Sequence, residues 1–349
     1  MKFFAFLLLI ALLCAAFAAY VIYAPIGPAT GTSDDRATYV DIAPGTGTQA
    51  MATQLERAGV LRSRYAFDLL RAIKGGKLIA GEYRFNHPAP APEVYARIVR
   101  GDVYTRALTI PEGYNIFDIA QAVQAAGFGS RDSFLAAERT QTALIADLSP
   151  NATSLEGYLF PDTYRFARHV APAQILAAMV KRFRQVSGQL SLTSDSKTSL
   201  PSTVILASLI EKEVRQDSER PLVASVFLNR LARNMPLATD PSVIYAALLE
   251  DRYRGAIYES DLQAPSPYNT YRHTGLPPGP ICNPGVAALK AAIAPAQTDY
   301  LYFVADAQGH SRFSATLQEH AQQVQTYRRA VGRAAPPAPS RTPRRSSAK

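Results

Sequence analysis

From Phe3 to Ala24 the chain runs for 22 residues without a charge, preceded only by Met1 and Lys2. About 20 apolar residues suffice to cross a bilayer as a helix, so the run predicts an amino-terminal transmembrane segment. A cleaved signal peptide is the competing reading, because Ala16-Phe17-Ala18 has the small-x-small form of a processing site. The apolar run continues past that site through Val21-Ile22-Tyr23, and the basic region before it is a single lysine. An uncleaved anchor over residues 1–24 is therefore expected, with everything after about residue 25 outside the cytoplasm. Leu13 is not a small residue, which argues against lipid attachment at Cys14.

The remainder is long enough for further domains in a chain of 349 residues. Cys282 is the one cysteine outside the apolar run, so no disulfide is expected despite the oxidising compartment. The five histidines, at 87, 169, 273, 310 and 320, have no metal-ligand spacing, and neither a metal nor a cofactor is expected. The net charge of +9 resembles a nucleic-acid signal, yet five basic residues and no acidic one fall between Val331 and Lys349. That Pro-, Ala-, Ser- and Arg-rich tail, 331–349, reads as disordered. No nucleic-acid partner is expected.

Between the ends, composition divides the chain. Residues 25–37 read as a flexible linker. Residues 38–105 form a membrane-proximal subdomain that begins strand (Tyr39–Ala43), helix (Gly47–Ala58), helix (Ser63–Lys74), strand (Leu78–Phe85). This order resembles a LysM module, a fold that binds N-acetylated glycan. Residues 106–330 read as a larger mixed α+β domain. Helices are expected over Glu93–Arg100, Ile116–Ala126, Pro172–Ser187 and from Ser202 to about Arg215. Ser218 is expected to cap the helix carrying Val223, Val226, Phe227 and Leu231. Tyr300–Val304 and Ser311–Ser314 read as a hairpin before a last helix over about 317–329. The fold class is thus α+β, with a transmembrane helix, a small LysM-like βααβ subdomain and a larger catalytic domain.

Chemistry concentrates in Ala207–Leu231. Glu211 lies at the end of a run that is apolar or small from Val204, and a carboxylate moved toward an apolar face loses hydration and gains pKa. A carboxyl kept protonated near neutral pH can protonate a leaving group, as glycosidic cleavage requires. Small residues at Ala207 and Ser208 are expected to leave room above Glu211 for a ligand. Glu213, backed by Leu206 and Leu209, is an equal candidate on burial alone, and periodicity does not separate the two. Exposed carboxylates paired with Lys212, Arg215 or Arg220 are the ordinary alternative. Beyond them, Pro265–Gly285 is dense in proline, glycine, amides and hydroxyls, a rigid path suited to a neutral polyol.

Taken together, LASLIEKE (206–213), SERPLVASVFLNRL (218–231), TDPSVIYA (239–246), YNTYRHTGLPPGPICNPG (268–285) and YLYFVAD (300–306) closely resemble the YceG-like, or MltG-type, endolytic murein transglycosylases. GYLFPDTYRF, the TIPEG turn (109–113) and the amino-terminal anchor belong to the same resemblance, which runs to about Tyr327; Cys282 is a mild departure within it. The resemblance implies non-hydrolytic cleavage of the N-acetylmuramic acid to N-acetylglucosamine bond in peptidoglycan, leaving 1,6-anhydro ends. It implies the glutamate opening the EKE triplet, Glu211, as catalytic acid and base. Asn269, Thr270, Tyr271, Asp240, Glu219, Tyr158 and Glu156 are expected around the glycan. Association with a penicillin-binding synthase and placement on the inner membrane with the catalytic domain in the periplasm are implied as well. A peptidoglycan-binding scaffold without chemistry and a hydrolytic muramidase, with Asp240 activating water, are the alternatives.

Overall fold

The computed structural model describes residues 2–26, 37–192, 199–214, 216–306 and 308–334. Most of the expected linker (27–36), residues 193–198, Arg215, Ala307 and the tail from 335 onward lie outside the described residues. The chain divides into two compact units: residues 1–107 with 165–169, and residues 108–164 with 170–349.

The first unit opens with α1 (Lys2–Tyr23), whose stretch Phe3–Tyr23 is long and apolar enough to cross a membrane. There follow β1 (Thr38–Ile42), α2 (Thr48–Arg57), α3 (Arg64–Lys74), β2 (Gly81–Phe85) and α4 (Ala91–Arg100). The strands β1 and β2 pair antiparallel with Val40 opposite Tyr83. Alternation along β1 sends Val40 and Ile42 inward and Asp41 out. Met51 and Leu55 from α2, Phe67 and Leu70 from α3, and Val94, Tyr95 and Ile98 from α4 close one apolar core over that sheet. The ring of Phe67 meets Tyr95 edge-on at 5.1 Å, and the Tyr83 hydroxyl donates to the Ile79 carbonyl at 2.7 Å, so the buried phenol keeps its hydrogen bond. Strand β2 is shorter than expected: Leu78–Ala80 stay outside the ladder. Glu82 is buried here, and its charge is met by Arg168, which also lies over the Tyr39 ring. Strand β3 (Arg106–Thr109) ends this stretch.

The second unit is mostly helical. It contains α5 (Ile116–Ala125), α6 (Arg131–Thr140), β4 (Thr163–Phe166, from Arg165 in the first unit), α7 (Pro172–Gln189), α8 (Leu200–Glu213), α9 (Arg220–Ala232) and α10 (Asp240–Leu249). A single turn, α11 (Glu259–Leu262), α12 (Val286–Ile293), the hairpin β5 (Tyr302–Ala305) and β6 (Ser311–Ser314), and α13 (Leu317–Ala334) complete it. Helix α5 starts on a capping box: the Asn115 side chain accepts from Phe117 and Asp118 N–H, and Asp118 accepts from Asn115 N–H. Helix α8 is buried without a break from Thr203 to Ile210 and packs on α9, α10 and α12. A helix apolar all round has nowhere to go but the middle of a domain, and α8 is the axis on which the rest assembles.

Ser218 caps nothing. Asp217–Glu219 instead make one 3-10 turn, with Pro221 in the first turn of α9. Gly157, at φ +86°, sits where a β-carbon would lie 2.5–2.8 Å from Pro280 and Val204. Strain at positive φ and overpacking act together there, so Gly157→Ala is expected to cost about 3 kcal/mol. A urea midpoint indistinguishable from wild type would refute it.

Candidate active site

The last turn of α8 carries both glutamates, and the structure sends them to different surroundings. Glu211 is enclosed, with its side chain 5% exposed, and faces the equally enclosed Arg220. Its Oε1 accepts from the guanidinium at 2.8 Å, and its Oε2 accepts from the Gly285 N–H at the start of α12 at 3.0 Å. Both partners are donors, which suits a carboxylate as acceptor. The room expected above Glu211 is filled: the Ser208 hydroxyl accepts from Ile281 N–H, and the Cys282 thiol donates to the Ser208 carbonyl. Burial pushes that thiol well above its ordinary value.

Glu112, from the turn before α5, joins the same cluster. A β-carbon on Gly285 would collide with its carboxyl, so only glycine admits Glu112 to this place. Burial first, then the charge of Glu211, pushes the Glu112 carboxyl up, against the pull of Arg220 and a backbone bond from Val286. Its role was hidden in the sequence because the TIPEG segment reads only as a turn.

Glu213 lies two residues further along α8 and lines a cavity of about 360 Å³. Asp240, Tyr271, Arg230, Thr239, Phe303 and His320 line it too. Burial, and then the nearby Asp240 charge, push the Glu213 carboxyl up to about 7, with Arg230 opposing. Asp240 opens α10, where the helix dipole favours an anion, and Tyr271 donates its phenolic hydrogen to Asp240 Oδ1 at 2.7 Å. The Arg230 guanidinium is committed to the carbonyls of Leu301 and Leu237, at 2.7 and 2.8 Å. His320 stacks on Tyr302, and burial followed by the charge of Arg230 lowers its pKa. A partly neutral carboxyl, a fixed carboxylate and a phenol thus share one polar hollow.

The other expected site residues are distributed differently. Asn269 is fully buried; its amide donates to the carbonyls of Leu262 and Ala264 and accepts from Tyr271 N–H, which holds the loop rather than a ligand. Thr270 is also buried, bonding the Ser242 hydroxyl at 2.8 Å and accepting from Thr239 N–H. Glu219 faces the β5–β6 hairpin. Burial acts to raise its pKa, but bonds from Ser311 and His310 prevail and hold it below the ordinary value. Glu156 and Tyr158 line a separate cavity of about 370 Å³ with Tyr268, Pro278 and Pro280. Glu156 accepts from Ile116 N–H and Asn283 Nδ2, and burial drives its carboxyl to about 8. Asn283 is the knot of the region: it accepts from Leu159 N–H and donates to Tyr114 carbonyl and Glu156, binding three distant segments.

Glu156 and Glu213 start from 4.5 and are both raised, so the native state holds protons that the unfolded chain releases above that value. Stability is therefore expected to fall as pH rises from about 4.5 through 7 to 8. Urea midpoints that are flat across that interval in wild type would refute it.

The sequence profile of the YceG-like family matches residues 40–326, and the chain belongs to that family. An endolytic murein transglycosylase of Bacillus subtilis is 34% identical over 305 residues, covering 82% of this chain and 84% of that protein. A protein of the same name from Streptococcus pneumoniae is 29% identical over 315 residues; the match takes in 80% of this chain and 56% of the pneumococcal protein. The crystal structure of a YceG-like protein from Listeria monocytogenes superposes with a TM-score of 0.57 at 31% identity, over 82% of this chain and 98% of that one.

Proposed function

We propose that this chain is a membrane-anchored lytic transglycosylase that cuts inside peptidoglycan glycan strands, with Glu213 as the acid and base. The observation that carries the reading is the cavity in which a carboxyl raised to about 7 sits beside Asp240 and Tyr271. The names borne by the Bacillus and pneumococcal relatives support the substrate class. Protonated Glu213 gives its hydrogen to the glycosidic oxygen, and N-acetylglucosamine leaves with a free 4-hydroxyl. The carboxylate then takes the proton from the muramyl C6 hydroxyl as that oxygen bonds to C1. The product is a 1,6-anhydro end, no water is consumed, and Glu213 regains its proton. The Asp240 charge faces the positive character that develops at C1, and Tyr271 holds Asp240 in place. Glu211, Glu112 and Arg220 hold the end of α8 against α12, a positioning role in place of the one the resemblance assigned to Glu211.

Turnover is expected to fall as pH rises through about 7, since only protonated Glu213 can start the reaction. Mass spectrometry of sacculi digested by the purified protein tests the reaction: anhydro-muramyl ends are expected, and their absence rejects it. Asp240 sharing the cavity favours hydrolysis as the second reading, and borohydride-reducible ends in place of anhydro ends identify it. The anchor is read as a single inner-membrane span with the catalytic unit in the periplasm, acting on new strands beside a penicillin-binding synthase. The βααβ order of β1, α2, α3 and β2 supports a LysM-like glycan-binding role for the small unit.

A further inference from the structure

A helix needs about 20 apolar residues to cross a hydrocarbon core about 30 Å thick. The stretch Phe3–Tyr23 supplies 21. Ending the span at Ala16 would leave about 21 Å of helix, too little to reach across. Phe17, Ala18, Val21 and Ile22 are therefore needed inside the membrane, yet they form one wall of a groove of about 230 Å³. The other wall is folded protein, including Tyr65 and Leu69 of α3. Whatever depth Phe17 reaches, this edge of α3 stands beside it.

Helix α3 is built for that place. Phe67 and Leu70 face the core, while Tyr65, Leu69 and Ile73, at i, i+4 and i+8, are 67%, 47% and 71% exposed. Between residues 62 and 77 lie Arg62, Arg64, Arg71, Lys74 and Lys77, against the single acid Asp68. Arg62 also stacks over Tyr20 near the end of α1, 4.8 Å from the ring centroid. A row of large apolar side chains that opens on Tyr65, with Arg64 laid over that ring and Arg62 over Tyr20, matches the interfacial layer of a bilayer.

We propose that α3 lies in the headgroup layer at the Tyr23 end of α1, with Tyr65, Leu69 and Ile73 against acyl chains and its cations on anionic phospholipid phosphates. The inference rests on the reading of α1 as a membrane span. Two contacts with the membrane, the span and this helix, then fix the tilt of the first unit where one flexible attachment leaves it free to turn.

The full-length chain in phosphatidylglycerol nanodiscs tests this. In a Cys14→Ser background, where Cys282 remains buried, one environment-sensitive fluorophore is placed in turn at Leu9→Cys, Ile73→Cys and Gln54→Cys, the last an exposed site on α2. Nitroxide lipid is expected to quench positions 9 and 73 at least twofold and to leave 54 unchanged; the same dye at 54 controls for its own affinity for lipid. Quenching at 9 with 73 no different from 54 overturns the proposal while the span stands. No quenching at 9 removes the span and the proposal with it. Arg64→Glu with Lys74→Glu is expected to halve the quenching at 73 and leave 9 unaltered; an unchanged signal at 73 refutes the phosphate contacts.

Discussion

Glu213→Gln is expected to cut the release of anhydro-ended glycan by a factor of about 10² to 10⁴, the usual contribution of a positioned general acid. The amide keeps the shape of the side chain and cannot supply a proton. The variant should fold at least as well as wild type, with an advantage that grows as pH rises from about 4.5 to 7, because it removes a carboxyl that ionises in a poorly hydrated place. Parallel urea melts and product mass spectra check both halves. Glu211→Gln is the decisive companion, since the family resemblance points to residue 211 and the cavity to residue 213. Wild-type turnover in Glu213→Gln, with turnover lost in a Glu211→Gln protein of normal stability, would return the acid role to Glu211.

Arg220→Ala is expected to lower stability by about 3–5 kcal/mol, the range for removing one partner of a buried ion pair. Both side chains of the pair are 5% exposed, so neither charge can recover its hydration once the other is gone. Glu211→Ala should cost less, though still more than about 1 kcal/mol, because the guanidinium keeps only its bond to the exposed Asp217. Replacing both together by methionine should restore much of the loss, because the pair as a whole bears a desolvation penalty that apolar packing avoids. Denaturant midpoints measure all three. A single variant losing less than about 1 kcal/mol would place the pair among ordinary exposed salt bridges and end the argument.

The small unit was largely legible because its elements obey simple periods. Helices α2 and α3 and strand β1 fall within two residues of their sequence expectations, since one face of each is apolar and the other polar. Helix α8 defeated the same logic at the point that mattered. Apolar on every side, it presents no polar stripe against which the directions of residues 211 and 213 can be set. Helices α6 and α12 were missed because RDSFLAAERT holds few apolar residues and VAALKAAI consists mostly of small ones. Asn269, Thr270 and Glu219 read as ligand-binding groups by residue type. The polar atoms of Thr270 and Glu219 are committed to hydroxyls 28 and 92 positions away, of which local spacing carries no trace, while the Asn269 amide holds carbonyls 5 and 7 positions back in its own loop.

The Asn283 amide has a consequence in time. Its partners Leu159 and Tyr114 lie 124 and 169 positions upstream, so the segments it joins cannot lock until translation has passed residue 283. Closure over such separations is slow and comes after local helices have formed. Phe303 and His320, which line the hollow beside Glu213, come later still, so a chain stopped before residue 320 lacks part of that lining. The proposed activity is therefore expected only late in synthesis.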